Sequence, residues 1–176
     1  MSELKGKKIV VLLAEMHDER EFWYPVIRLR EAGAEVIIAG KEASAEYKGK
    51  DGMKARSDAA FADVRAGSVD GVIIPGGFGP DFMRRSQPCI DLVRDVAGQD
   101  KLVAFICHAG WVPISAGIVK GRKVTSYPTL RDDFTNAGAP WEDSELVRDG
   151  NLTSRRHPDD LPAFLNGILA YFPERA

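Results

Sequence analysis

Short uninterrupted runs of apolar, mostly β-branched residues recur along the chain, with polar stretches between them. Runs of this kind are typical of parallel strands that are buried on both faces of a sheet. We predict strands at residues 8–13, 35–39, 71–74, 102–106 and 123–126. Residues 145–154 are predicted to form a hairpin around Asp149 and Gly150, because Asp-Gly is a favoured hairpin turn.

Helical spacing of apolar residues appears between these strands. Within residues 18–32, Phe22, Val26 and Leu29 fall on one face, and Gly33 follows as a stop signal. The alternation of strands and helices predicts an α/β fold whose mostly parallel sheet is covered on both faces. Because no linker or repeat interrupts it, residues 1–176 are predicted to form a single domain. Further helices are predicted at residues 59–64, 86–98, 108–117, 129–137 and 158–171, and a β-excursion at residues 40–56.

Composition and charge narrow the class of protein. Of the 176 residues, 44% are hydrophobic and 28% are charged, which is typical of a globular chain with a sizeable core. The net charge is −2 and no long basic stretch is present, so we expect no nucleic-acid partner. We find no signal peptide and no apolar stretch near the ~20 residues of a spanning helix, so we expect a cytoplasmic protein without a membrane partner.

The sequence lacks the motifs of metal and dinucleotide sites. No element carries a pair of possible metal ligands at a suitable spacing, and no G-x-G-x-x-G follows a strand, so we expect no metal and no cofactor. The two cysteines, Cys89 and Cys107, are expected to be reduced thiols rather than a disulfide.

Cys107 is the strongest candidate for chemistry. It directly follows the predicted strand 102–106 and directly precedes a predicted helix, which is the position of the nucleophile in an α/β-hydrolase. The helix N-terminus favours a thiolate, and His108 is a candidate base or cationic partner. The alternative is a buried structural cysteine, and Cys89, within the predicted helix 86–98, is interpreted as one.

Two glycines follow another predicted strand at the same edge of the sheet. Gly76 and Gly77 let backbone N–H groups approach a ligand closely, although the same pair also suits an ordinary tight turn. Together with the N–H of His108, we expect them to receive a developing oxyanion.

These motifs resemble the ThiJ/PfpI superfamily, and in particular its PfpI-like branch. The resemblance covers nearly the whole chain and rests on residues 73–77, 104–108, 114–128, 131–133, 136–139, 149–151 and 154–161. It implies a flavodoxin-like three-layer sandwich of the class I glutamine-amidotransferase type, in which the cysteine occupies a strained nucleophile elbow. It also implies a homodimer, or a hexamer built from dimers.

The resemblance carries over to individual residues. Asp18 matches an acid that in relatives is protonated and hydrogen-bonds the sulfur, with Glu19 or Glu15 as alternatives for that contact. Asp81 matches an acid that reaches the histidine of a neighbouring subunit, and Tyr127 matches a tyrosine near the sulfur.

Departures from the family pattern concern the pocket. Ala109 and Gly110 replace the usual Gly-Pro after the histidine, and Trp111 is expected to reshape or narrow the pocket. His17, beside Asp18, is interpreted either as a pocket residue or as a surface-loop histidine.

Three functional hypotheses follow. The first is an enzyme whose Cys107 attacks small carbonyl or acyl carbons, or those of modified proteins, in deglycase, glyoxalase or PfpI-type hydrolase chemistry. The second is a redox-sensing, chaperone-like stress protein whose Cys107 is oxidised rather than catalytic. The third is a purely structural oligomer, in which Cys107 would react as slowly as Cys89.

Overall fold

The computed structural model describes residues 3–172, and its centre is a seven-stranded sheet with the strand order β5-β2-β1-β6-β7-β9-β8. All neighbouring strands pair in parallel except β8 and β9, which form the predicted antiparallel hairpin. A separate antiparallel pair, β3 and β4, occupies the predicted β-excursion. The strands are β1 Lys8–Leu12, β2 Glu35–Gly40, β3 Glu46–Lys48, β4 Lys54–Arg56, β5 Ala59–Ala60, β6 Gly71–Ile74, β7 Leu102–Ile106, β8 Val147–Asp149 and β9 Leu152–Arg155.

Helices cover both faces of this sheet, as the alternation of elements predicts. Along a strand, successive side chains point to opposite faces. In β1, Val10 and Leu12 join the hydrophobic core under α3, α4 and α5, whereas Ile9 and Val11 join the core under α1 and α6. The flavodoxin-like three-layer prediction is therefore confirmed. The helices are α1 Glu19–Glu31, α2 Gly79–Arg84, α3 Gln87–Gly98, α4 Trp111–Ser115, α5 Arg131–Asn136 and α6 Leu161–Tyr171.

Two predicted elements are wrong. Residues 123–126 do not form a strand, because β9 already has β7 and β8 as its two neighbours. Val124 makes only an isolated bridge to Trp141, and the N–H of Thr125 donates to the side chain of Ser154 instead. Residues 59–64 are not a helix either: the first two extend the sheet as β5, and a 3₁₀ turn follows them.

Three predicted helices are shorter than expected, and α2 was not predicted. The regions 108–117, 129–137 and 158–171 each open with a 3₁₀ turn before the α-helix starts. Within residues 3–172, no helix is both long enough and apolar enough to cross a bilayer.

The turn after β6 packs tightly against the end of β7 at Gly76. A Cβ atom at this position would lie 2.9 Å from the carbonyl oxygen of Ile106 and 3.0 Å from the Cβ of Cys107. It would also lie 2.5 Å from a carboxylate oxygen of Glu21. Because the carbonyl oxygen of Ile106 belongs to the backbone, it cannot move aside without a large cost in free energy. Position 76 therefore requires glycine.

We therefore expect Gly76→Ala to destabilise the protein by about 1–3 kcal/mol, the usual cost of overpacking. Gly67→Ala is the matched control, because a Cβ there would meet nothing within 4 Å. We expect that control to change the free energy of unfolding by less than about 0.5 kcal/mol. Urea unfolding of the three proteins measures both effects, and equal stability of the two variants would show that the approach at Gly76 is not tight.

Candidate active site

Cys107 lies on the turn that follows β7, in a conformation that non-glycine residues rarely adopt. Its φ is +61°, in the left-handed region, and its side chain is only 7% exposed. A 3₁₀ turn over Cys107–Gly110 leads directly into α4. Left-handed backbone of this kind costs on the order of 1–3 kcal/mol and persists only where surrounding structure enforces it. Cys107 therefore lies on the turn that connects β7 to α4.

Three kinds of group surround the sulfur. The Nδ1 atom of His108 lies 3.2 Å from Sγ. The backbone N–H groups of His108 and Gly77 act to lower the pKa of the thiol. The third neighbour is the carboxyl group of Glu21, which lies close enough to act on the pKa of the thiol.

Glu21 lies in the first turn of α1 and is completely buried. Its Oε2 atom accepts the N–H of Gly76 at 2.7 Å, and its Oε1 atom has no hydrogen-bond partner among residues 3–172. Burial, and then the negative charge of Asp18, raise the pKa of Glu21 to about 8. The carboxyl group is therefore mostly protonated at neutral pH and is able to donate a hydrogen bond.

The acid at the sulfur is thus Glu21, and the expectation that Asp18 makes this contact is wrong. Asp18 is the N-cap of α1, where its Oδ1 atom accepts the N–H groups of Arg20 at 3.0 Å and Glu21 at 3.2 Å. Its Oδ2 atom lies 3.0 Å from Nζ of Lys50 and 3.4 Å from Nη2 of Arg20. Burial by itself would raise the pKa of Asp18, but the bonds from Lys50 and the helix N–H lower it overall.

The two alternative acids are not at the sulfur either. Glu19 uses its Oε1 atom to accept the N–H groups of Asp51 at 2.9 Å and Met53 at 3.2 Å. Glu15 accepts the N–H of Lys48 at 2.9 Å. Both carboxylates therefore fix the β3–β4 hairpin against the rest of the fold.

The thiol and the imidazole of His108 are both in their neutral forms at rest. Burial raises the pKa of Cys107, and burial lowers the pKa of His108. The ring of His108 stacks on Tyr127, with centroids 4.7 Å apart, and its Nε2 atom lies 3.4 Å from the hydroxyl of Thr129. If Nε2 carries the ring proton, Nδ1 is free to accept the proton of the thiol.

A cavity of about 270 Å³ opens beside the sulfur. Its wall combines the two residues of the elbow with charged groups near the start of α1 and with exposed aromatic rings. Among residues 3–172, no three histidine, cysteine, aspartate or glutamate side chains are grouped so as to hold a metal ion. The cavity is lined by Asp18, Arg20, Lys50, Gly77, Phe78, Cys107, His108, Tyr127 and Pro158.

Three sequence-predicted residues have other positions than expected. His17 is fully buried, with Nδ1 bonded to the carbonyl of Ala14 at 2.9 Å, so it packs behind the cavity. Trp111 packs against the ring of His108, 5.5 Å away, and is not part of the cavity wall. The N–H of Gly76 is occupied by Glu21, so it is not available to an oxyanion. The contact of Asp81 with a neighbouring subunit stays a prediction, and within its own chain Asp81 lies on α2, paired with Arg85.

Glu21 and Lys50 are the residues that sequence reasoning missed. Glu21 directly precedes Phe22, the first residue of the apolar stripe of α1, and this adjacency is the one signal of its burial. Lys50 reaches the cavity only because the β3–β4 hairpin folds back, with the N–H of Lys50 donating to the carbonyl of His17.

Glu21 gives the stability of the protein a pH dependence of defined sign. Its pKa is about 8 in the folded protein and ~4.3 in an unfolded chain. Between these values the folded state binds more protons, so the stabilisation is complete below the lower pKa and is lost as the pH rises through the upper one. From about pH 5 to about pH 9, we expect the free energy of unfolding of the wild type to fall by a few kcal/mol relative to Glu21→Gln.

Urea unfolding at a series of pH values measures this difference. Glu31→Gln is the matched control, since Glu31 lies on the same helix with its side chain 72% exposed, and this variant should keep the wild-type profile. Parallel profiles for the wild type and Glu21→Gln would contradict the raised pKa.

The chain is similar in sequence to proteins of one known family. The model of the DJ-1/PfpI family matches residues 7–171. Deglycase PfpI of Pyrococcus furiosus is 42% identical over 162 residues, which cover 92% of this chain and 97% of that protein. General stress protein 18 of Bacillus subtilis is 38% identical over 168 residues, covering 94% and 97% of the two chains.

Solved structures share the fold as well as the sequence pattern. The crystal structure of DJ-1beta from Drosophila melanogaster has a TM-score of 0.86 at 32% identity and covers 93% of this chain and 88% of its own. A two-domain protein of Anabaena variabilis, with DJ-1/ThiJ/PfpI-like and ferritin-like domains, has a TM-score of 0.93 at 36% identity and covers 95% of this chain. This chain spans about half (48%) of the length of that protein. The chain belongs to the DJ-1/PfpI family.

Proposed function

We propose that the protein is a cysteine-dependent enzyme that acts on small carbonyl or acyl groups, in deglycase or glyoxalase-like chemistry. The observation that carries this proposal is the geometry at the sulfur. A thiol on a strained elbow faces a neutral imidazole nitrogen at 3.2 Å, beside a cavity of about 270 Å³. The name of the Pyrococcus furiosus relative, a deglycase, supports the same reaction class.

The first step is a nucleophilic addition. As Sγ of Cys107 forms a bond to the carbonyl carbon, the thiol proton passes to Nδ1 of His108, and the carbonyl π electrons move to the oxygen. The N–H groups of Gly77 and His108, which lower the pKa of the thiol, are the donors for the developing negative charge. His108 is neutral before this step and becomes the acid that returns the proton afterwards.

Glu21 acts through the cysteine in this scheme and is a positioning residue. Its carboxyl group is protonated and therefore neutral, which removes the repulsion that a carboxylate would exert on a thiolate. Its bond to the N–H of Gly76 also fixes the glycine turn, so that Gly77 faces the sulfur. Suitable substrates are methylglyoxal and its early adducts with amines and thiols, in small molecules or in proteins.

Assembly and location belong to the same proposal. The chain works as one domain, in the cytoplasm, and forms a homodimer or a hexamer built from dimers. The side chain of Asp81 is 49% exposed and stands away from the cavity of its own chain. From that position it is suited to reach His108 of a neighbouring copy.

Cys107→Ala should lower the turnover of methylglyoxal adducts to the background rate, because no other thiol lies in the cavity wall. Cys89→Ala is the control: Cys89 is fully buried in α3, and burial raises its pKa to about 12. We expect that variant to retain activity. Activity is measured as release of the free amine or thiol, with folding checked by circular dichroism, and an active Cys107→Ala protein would refute the proposal.

A second candidate function is redox sensing, and the surroundings of the sulfur favour it. The two N–H donors and the protonated Glu21 can hydrogen-bond the oxygen atoms of a sulfenate or sulfinate. In the first step the sulfur attacks one peroxide oxygen, the O–O bond breaks and water leaves. The name of the Bacillus subtilis relative, a general stress protein, is in keeping with such a role.

Mild treatment with hydrogen peroxide followed by peptide mass spectrometry tests this function. We expect Cys107 to gain one or two oxygen atoms while Cys89, which is completely buried, stays unmodified. Glu21→Gln should keep a donor at the sulfur and preserve the reaction. Equal oxidation of the two cysteines, or none at Cys107, would rule out sensing.

A further inference from the structure

The cavity beside Cys107 has two chemically different sides. Phe78, Tyr127 and Pro158 form an apolar side, and the rings of Phe78 and Tyr127 are exposed. Lys50 and Arg20 also line the cavity and form a polar side, grouped around Asp18. The reactive sulfur therefore lies in a cavity that has a cationic wall.

Asp18 does not prevent these cations from donating hydrogen bonds to a ligand. Both oxygen atoms of its carboxylate already accept hydrogen bonds. Its Oδ1 atom accepts two backbone N–H groups of α1. Its Oδ2 atom accepts from Lys50 at 3.0 Å and Arg20 at 3.4 Å. A ligand in the cavity consequently finds no free acceptor at this carboxylate.

Lys50 and Arg20 both keep N–H groups that can donate hydrogen bonds to a ligand. The ammonium group of Lys50 has three N–H bonds and uses one on Asp18, while Asp51, whose side chain is 70% exposed, stands 4.0 Å away. The guanidinium of Arg20 has five N–H bonds, uses one of them on Asp18, and its side chain is 60% exposed. The polar side of the cavity therefore offers donors and positive charge to whatever enters it.

The other titratable groups close to the sulfur carry no charge. Glu21 is protonated at neutral pH and His108 is neutral, for the reasons given above. Asp18 is the one carboxylate among the residues that line the cavity. Asp159, which acts on Arg20 from outside this wall, has a side chain that is 90% exposed and is screened by water.

We propose that Lys50, with Arg20 beside it, is a specificity-determining group that binds an anionic substituent of the substrate. The preferred substrates are then small carbonyl compounds that carry a carboxylate next to the reactive carbon, such as short 2-oxo acids. The apolar side, with Phe78 and Tyr127, holds the remainder of the molecule. The choice of substrate rests on the proposed function, but the charge selectivity is a property of the cavity and is testable without turnover.

Alkylation of Cys107 by two matched reagents measures this selectivity. Iodoacetate and iodoacetamide are similar in size and differ in carrying a carboxylate or a neutral amide. With either reagent the sulfur forms a bond to the CH₂ carbon, the C–I bond breaks, iodide leaves, and the thiol proton passes to His108 or to water. Peptide mass spectrometry gives both rates at Cys107, and their ratio cancels changes in the reactivity of the thiol itself.

We expect the ratio of the iodoacetate rate to the iodoacetamide rate to exceed that of a free small thiol at low ionic strength. Lys50→Met should lower this ratio about tenfold, the effect of ~1.4 kcal/mol of lost ion pairing. Lys50→Arg should largely keep the ratio, and added salt should reduce it. Lys54→Met is the matched control, since Lys54 lies on the same hairpin, is exposed and pairs with Glu46, and it should leave the ratio unchanged.

Glyoxylate, the smallest 2-oxo acid with an aldehyde, provides a second measurement. It should protect Cys107 from iodoacetamide better than glyoxal does in the wild type, and no better in Lys50→Met. A wild-type ratio no higher than that of the free thiol, or an unchanged ratio in Lys50→Met, would overturn the inference. If the ratio shifts as expected while Cys107→Ala leaves adduct turnover intact, the charge selectivity stands and the proposed enzyme function fails.

Discussion

The contact between the carboxyl group of Glu21, the N–H of Gly76 and the sulfur of Cys107 holds the site together. It joins the first helix, the turn after β6 and the turn after β7, three parts of the chain far apart in sequence. A charged carboxylate in this position would be buried at high cost and would repel a thiolate. Protonation of Glu21 removes both penalties. The close packing at Gly76 and the strained backbone at Cys107 are therefore formed around groups that carry no charge.

The site consequently divides into an uncharged inner layer and a charged outer layer. The thiol, the imidazole of His108 and the carboxyl of Glu21 form the inner layer, where burial favours the neutral form of each group. Asp18, Lys50 and Arg20 form the outer layer, where ion pairs and helix N–H groups keep Asp18 ionised. Two acids three residues apart on one helix thus have opposite protonation states, because one is enclosed by apolar packing and the other meets cations. In the proposed mechanism, a proton moves between the sulfur and the imidazole within the uncharged layer, and the cations of the outer layer select ligands by charge.

Much of this arrangement is local and therefore predictable. The buried strand 102–106 ends at Cys107, and a helix start follows, so the position of the sulfur at the sheet edge comes directly from the pattern of residues. The acid at the sulfur was not predictable in the same way. Asp18 had the expected sequence context, but its short side chain caps α1, and the next turn of that helix brings Glu21 to the sulfur instead. Residues 123–126 have the composition of a strand. They do not join the sheet, because β7 and β8 occupy both sides of β9, and this is evident only in the assembled sheet.

The sequence by itself determined the alternating α/β architecture, the family motifs and the position of Cys107 at a strand end, because each depends on neighbouring residues and on the two periodicities of helix and strand. Tertiary structure decided which carboxyl group is protonated beside the sulfur, which N–H groups remain available to a ligand, and which cations line the cavity. Those properties depend on burial and on distances between segments that are remote in the chain. Lys50 shows the difference most clearly: in the sequence it is one lysine of a mixed-charge stretch, and the folded hairpin makes it part of the wall beside Cys107.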